Sequence, residues 1–221
     1  MENQQIFSRI DHTLLKATSS WDEIKALCVD AMRYKTASVC IPPSYCERVK
    51  KEFPELTVCT VIGFPLGYQT TETKVFETKN AIQNGADEVD MVIDIGDVKN
   101  GDFEKVLTEI RMIRQASTGK ILKVIIEACY LTEDEKQQLC RIVTEAGADF
   151  IKTSTGFGTS GATLEDIALF KENIGSSVRM KAAGGIKTKE DLIAFVEAGC
   201  ERIGTSSGIQ LLTQGGESKG Y

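Results

Sequence analysis

At 221 residues the chain is long enough for one large core. A barrel of eight strand–helix units needs about 200 residues or more, so a second independent domain is not expected. Lysine and arginine number 26 against 32 aspartates and glutamates, and no basic cluster is denser than Arg48, Lys50 and Lys51 on an expected helix end; this disfavours nucleic acid and membrane surfaces as partners.

The opening MENQQIFSRIDH lacks an apolar h-region, and no later stretch approaches about 18 apolar residues, so the cytoplasm is the expected compartment. From there, apolar β-branched runs recur as SRIDHTLL, ASVCIP, TVCTVIGFP, EVDMVID, ILKVIIE, DFIKTST, VRMKAA and RIGTSS, eight expected strands. Helical periodicity separates most of them, in VFETKNAIQ, FEKVLTEIRMIRQA, EDEKQQLCRIVTEA, LEDIALFKENI and EDLIAFVEA. Strand and helix therefore alternate, as an α/β fold requires.

Three phrases, QNGADEVD, EAGADFIK and EAGCERIG, place a glycine where a helix ends and a strand soon begins. Glycine takes the left-handed conformation there at little cost. Gly85, Gly147 and Gly199 are spaced by two units each of roughly 26 to 31 residues, which suits a closed TIM (β/α)8 barrel in a single domain spanning 1–221. An open doubly wound sheet also alternates. The count of eight, and the polar residues at several strand ends, favour the barrel.

The phrase GFGTSG at 156–161 is a literal G-x-G-x-x-G. Its preceding KTST is too polar for the buried first strand of a dinucleotide fold, and Lys181 stands where that fold wants an acid. A glycine-rich loop after a barrel strand still offers backbone N–H groups to a phosphate.

Alternation along strands puts Asp90 with Val92 and Asp94, Lys123 with Ile125 and Glu127, Phe150 with Lys152 and Ser154, and Arg179 with Lys181 and Ala183. Charges in strands buried on both faces are costly unless paired. They can neutralise one another across a barrel floor, or they can do chemistry. Two lysines beside an acid suggest a Schiff-base enzyme: an amine must be uncharged to attack a carbonyl, and a neighbouring ammonium together with burial favours that form. Lys152 and Lys181, on adjacent strands, suit this. Glu127 is as much a supporting ion-pair partner as a catalyst.

His12 is the sole histidine, and seven cysteines at 28, 40, 46, 59, 129, 140 and 200 form no C-x-x-C pair. No metal is therefore expected, nor is a Ser–His–Asp hydrolase, since no G-x-S-x-G occurs. His12 reads more readily as a hydrogen-bonded structural residue than as a proton donor. Cys40 reads more readily as core filling than as a functional thiol. Asp11 and Lys16 either contact substrate or are solvated or ion-paired.

The phrases IDHTLL, VIGFPLG, EVDMVIDIG, KVIIE, FIKTSTGFG, KAAGGI and RIGTSS closely resemble the deoxyribose-phosphate aldolase family, in order, from about residue 7 to the C-terminus. The resemblance implies reversible cleavage of 2-deoxy-D-ribose 5-phosphate to D-glyceraldehyde 3-phosphate and acetaldehyde, with no cofactor. Its Schiff-base lysine falls on Lys152, its second lysine on Lys181, and its acid on Asp90. Phosphate recognition falls on Gly156, Gly184, Gly185, Ser206 and Ser207; Gly184 and Gly185 also suit a tight turn. Tyr221 fits a family tyrosine on a mobile tail, about 214–221 here, or a plain disordered end. A homodimer is the expected assembly. Asp94, Ala182 and Ser160 depart from the usual asparagine, proline and glycine. Asp94 is expected to bear on the pH optimum.

Overall fold

The computed structural model describes residues 1–215. Eight strands, β1 (Ile10–Thr13), β2 (Ser38–Ile41), β3 (Val58–Ile62), β4 (Glu88–Val92), β5 (Ile121–Ile125), β6 (Phe150–Lys152), β7 (Arg179–Ala183) and β8 (Arg202–Thr205), pair in sequence order. Every pairing is parallel, and β8 closes on β1. The expected TIM barrel is thus the fold, and all eight expected strand runs contain a strand.

The helices are α1 (Asn3–Phe7), α2 (Trp21–Tyr34), α3 (Cys46–Glu52), α4 (Thr71–Gln83), α5 (Ile95–Asn100), α6 (Phe103–Ala116), α7 (Glu133–Glu145), α8 (Leu164–Asn173), α9 (Lys189–Ala198) and α10 (Gly208–Thr213). Their starts are written locally. Ser20 with Glu23, Thr132 with Glu135 and Thr188 with Asp191 form reciprocal capping boxes, while Thr70 and Thr163 each accept a first-turn N–H. Such caps stabilise a helix start by about 1 kcal/mol each. Gly85, Gly147 and Gly199 all adopt positive φ, which is why glycine stands where each of these helices gives way to a strand.

Alternate strand residues face two different environments. The outward set, including Val39, Ile41, Val89, Met91, Val124, Ile151, Met180 and Ile203, joins Ile24, Leu27, Ile110, Leu139, Ile167, Phe170 and Leu192 of the helices in one continuous apolar core. Burying each such side chain contributes about 1.5–3 kcal/mol, so this layer carries the fold. His12, between Asp11 and Thr13, belongs to that outer layer. It is buried, bonds the Thr205 backbone, and burial holds its pKa down at about 4. The structural reading of His12 is the one its surroundings match.

The inward set carries the charged residues. Cys40, Cys59 and Val61, with Leu15 and the overlying Phe64, form a small apolar patch beside them. The loop after β3 places Phe64 there: Gly63 and Gly67 have positive φ, and a Cβ at Gly67 would fall 2.0 Å from the Ile93 carbonyl oxygen. Among the described residues no helix is long and apolar enough to cross a membrane, and all seven cysteines are free thiols.

Candidate active site

Seven ionisable side chains meet inside the ring. Asp90 from β4 accepts Lys152 Nζ at 2.8 Å and Lys181 Nζ at 2.7 Å on one oxygen, and Lys123 Nζ at 2.8 Å on the other. Lys181 also reaches Asp11 at 2.5 Å, and Lys123 reaches Glu88 at 2.6 Å. Below them Arg202 bridges Asp11 at 2.5 Å and Glu88 at 2.7 Å. Phe150 fills the floor, with the guanidinium of Arg179 4.1 Å from its ring centre. Strand register explains the convergence, since Asp90 is level with Lys123, and Lys152 with Lys181.

The electrostatics follow from this packing. Burial alone would raise Asp90, but Lys123, Lys152 and Lys181 outweigh it and hold the carboxyl well below the usual range. Burial works against the charge on Lys181, and the carboxylates of Asp11 and Asp90 overcome it, so its pKa lies above that of an ordinary lysine. Lys123 is raised in the same way, chiefly by Asp90 against burial. Three carboxylates thus face four basic groups, and the surplus is one positive charge. Lys123 and Lys181 are fully enclosed, whereas Lys152 lines a cavity of about 510 Å³ at the C-terminal mouth. The member of the network free to meet a ligand is Lys152.

The rest of that cavity is built from the loops after β6, β7 and β8. Thr155, Gly156, Gly158, Ser160 and Gly161 come from the first, Gly184, Gly185 and Lys187 from the second, and Ser206 and Ser207 from the third, with Thr13 and Leu15 opposite. Gly156, Gly184 and Gly185 all have positive φ. A Cβ at Gly161 would lie 2.2 Å from the Gly184 carbonyl carbon, so the two loops touch backbone to backbone. Gly184 and Gly185 therefore sit in a tight turn that also lines the cavity. The GFGTSG phrase is loop throughout, and α8 starts only after Thr163.

Several sequence expectations divide here. Lys152, Lys181 and Asp90 are brought together; the two lysine nitrogens share one carboxylate oxygen. Asp11 takes the ion-paired alternative, fully buried beneath the cavity. Lys16 is exposed on the loop after β1, outside the cavity lining. Glu127 is buried and bonds Thr155 rather than a lysine. Asp94 does not join Asp90 on the inner wall: its carboxylate caps α5 by accepting from Gly96 N at 2.8 Å. Tyr221 and residues 216–221 of the expected tail lie outside the described residues.

Lys123, Glu88, Arg202 and Lys187 were not singled out as site residues by sequence. The signal was present for three of them, since each lies two residues from an inward position on its strand. Cys40, Cys59 and Asp90 have donor atoms within 4.8 Å of one another, but both Asp90 oxygens already hold lysines. Cys40 itself is fully buried in the inner apolar patch.

Residues 6–213 match the model of the DeoC/LacD family of aldolases. A deoxyribose-phosphate aldolase of Clostridium botulinum (strain Alaska E43 / Type E3) is 55% identical over 222 residues, covering 100% of both chains. One of Clostridioides difficile (strain 630) is 58% identical over 210 residues, covering 95% of this chain and 96% of the relative. Among solved structures, the tetrameric deoxyribose phosphate aldolase from Aeropyrum pernix superposes with a TM-score of 0.88 at 30% identity, covering 96% of this chain and 91% of that one.

Proposed function

Because the chain belongs to the DeoC/LacD family of aldolases, we propose that it is a carbon–carbon lyase that reversibly cleaves 2-deoxy-D-ribose 5-phosphate to D-glyceraldehyde 3-phosphate and acetaldehyde through a Schiff base on Lys152. The observation that carries the assignment is the asymmetry of the lysines: of the three that contact Asp90, Lys152 alone lines the cavity.

The reaction then distributes itself over the network. Uncharged Lys152 Nζ attacks C1 of the open-chain sugar, and the carbinolamine loses water to give an iminium. Loss of the 3-hydroxyl proton breaks the C2–C3 bond, whose electron pair passes into the iminium and leaves an enamine on C1 and C2. Glyceraldehyde 3-phosphate departs. Protonation at C2 and hydrolysis release acetaldehyde and restore the amine.

Lys181, kept cationic by Asp11 and Asp90, stands beside Lys152 on the same Asp90 oxygen. Asp90 contacts both nitrogens and would exchange protons with Lys152, the member of the pair that meets the cavity. The backbone N–H groups around Gly156, Gly184, Gly185, Ser206 and Ser207, with Lys187, suit the phosphate, which barrels commonly hold at this end. Neither a metal nor an organic cofactor enters these steps. We place the activity in the cytoplasm, where seven free thiols are stable, and in a homodimer.

Sodium borohydride with acetaldehyde tests the assignment. The mass should rise by one reduced two-carbon adduct, located on Lys152. An adduct on Lys181 would overturn the division of roles. Turnover of fructose 6-phosphate in place of deoxyribose 5-phosphate would overturn the substrate.

A further inference from the structure

Among the described residues only two outside glycine have positive φ. Lys35, at φ 54°, ends α2 as an ordinary left-handed cap. Glu127, at φ 49° and ψ 63°, is buried just beyond β5 and caps no α-helix. A residue with a Cβ is disfavoured in this conformation and persists there only when its surroundings enforce it.

The enforcing contacts lie on both sides of it. Ile126 N–H donates to the Lys152 carbonyl at 3.1 Å and Ala128 N–H to the Thr153 carbonyl at 2.8 Å, so the chain stays bonded to β6 and its extension while it turns. The turn carries the Glu127 carboxylate to Thr155, whose N–H donates to its two oxygens at 3.2 and 3.3 Å and whose hydroxyl donates to it as well. Thr155 Oγ1 in turn accepts the Phe157 N–H at 3.0 Å. A Cβ at Gly158 would sit 3.0 Å from Glu127 Oε1 and 2.9 Å from Cys129 Sγ, so the loop folds directly over the carboxylate. The groups that meet it are donors, which an ionised carboxylate satisfies and an amide satisfies only in part.

We propose that Glu127 is a positioning residue for the acceptor half of the substrate: its carboxylate sets the Thr155–Gly158 wall of the cavity, while the amine chemistry of Lys152 belongs to the Asp90 network. This rests on the aldolase reading above. Thr155, Gly156 and Gly158 line the cavity on the loop that carries Ser160 and Gly161, so displacing Thr155 moves the wall that meets the phosphorylated three-carbon portion. Acetaldehyde carries no phosphate and needs Lys152 and its Asp90 network but not that wall.

The experiment compares the two halves. In Glu127→Ala, KM for deoxyribose 5-phosphate should rise about tenfold or more, the scale of a lost hydrogen bond to a charged group. The rate of borohydride capture of acetaldehyde on Lys152 should stay at the wild-type level. Glu127→Gln should lie between, and Glu127→Ala with Thr155→Val together should be no worse than the poorer single variant. An unchanged KM in Glu127→Ala overturns the proposal. So does capture slowed in proportion to cleavage, which would place Glu127 at the amine, or additive losses in the double variant. Should the alanine variant fail to fold, the glutamine variant carries the same two readouts. Failure of capture in the wild-type protein would instead refute the Schiff-base reading itself.

Discussion

Among the described residues two places bury lysine, and they balance its charge differently. Outside the barrel, Lys74 of α4 donates to Glu109 of α6 at 2.7 Å and to the Val92 carbonyl at 2.9 Å, one cation for one carboxylate. Inside, Lys123, Lys152 and Lys181 share with Arg202 only three carboxylates. A one-to-one pair leaves no amine available and works as a clamp on the end of β4. A ring with one surplus cation is not neutralised by its own carboxylates, and one of its members, Lys152, lines the cavity. Burial alone does not tell the two lysine sites apart; the local count of charges, and which nitrogen meets the opening, do.

The sharpest way to break this comparison is at the reactive amine. Lys152→Met should lower cleavage by about 10⁴-fold or more, the scale of removing a nucleophile, and abolish borohydride labelling. Lys181→Leu should lower turnover by about 10²–10⁴-fold, the range of an acid–base partner, with the circular dichroism of the folded barrel retained. Full activity in that variant would sink the surplus-charge account.

The clamp is tested by stability rather than rate. Lys74→Met leaves Glu109 buried without its partner and should cost about 3–5 kcal/mol in urea denaturation. Combining it with Glu109→Leu should recover most of that loss, because the unpaired carboxylate goes with it. A double variant as unstable as the single would show that the ammonium bond to Val92 is what matters.

His12 extends the contrast to a buried base kept neutral by its surroundings. Its folded pKa of about 4 lies below the usual 6.5. Between these values the unfolded chain binds a proton that the folded one does not, so stability should fall as pH drops through this window. The loss is about 3 kcal/mol by pH 4. Denaturation midpoints of wild type and His12→Asn across that range measure it, and parallel curves would contradict it.

The smallest effect is expected at Asp94. Asparagine caps a helix as well as aspartate does, so Asp94→Asn should change stability by less than about 0.5 kcal/mol and leave the pH–rate profile in place. A displaced optimum would mean that the rim carboxylate reaches the barrel chemistry, contrary to its role on α5.

Much of this was legible along the chain because its causes are local. Two-residue alternation separates the inward Glu88, Asp90, Lys123, Lys152 and Lys181 from the outward Val89, Met91, Val124 and Ile151 before any tertiary contact is known. Glycine after a helix, at 85, 147 and 199, marks where three of the units give way to a strand. Family likeness in FIKTSTG and KAAGGI pointed to the same lysines. Tertiary structure alone decided partners and depth: that Asp11 from β1 closes the ring against Lys181 and Arg202, that Asp94 leaves the wall to cap a helix, that Glu127 turns left-handed to hold a loop, and that of the three lysines on Asp90 only Lys152 meets the cavity. Periodicity encodes the face a side chain takes, whereas charge pairing depends on strands up to 191 residues apart in sequence, as Asp11 and Arg202 are, meeting around a closed ring.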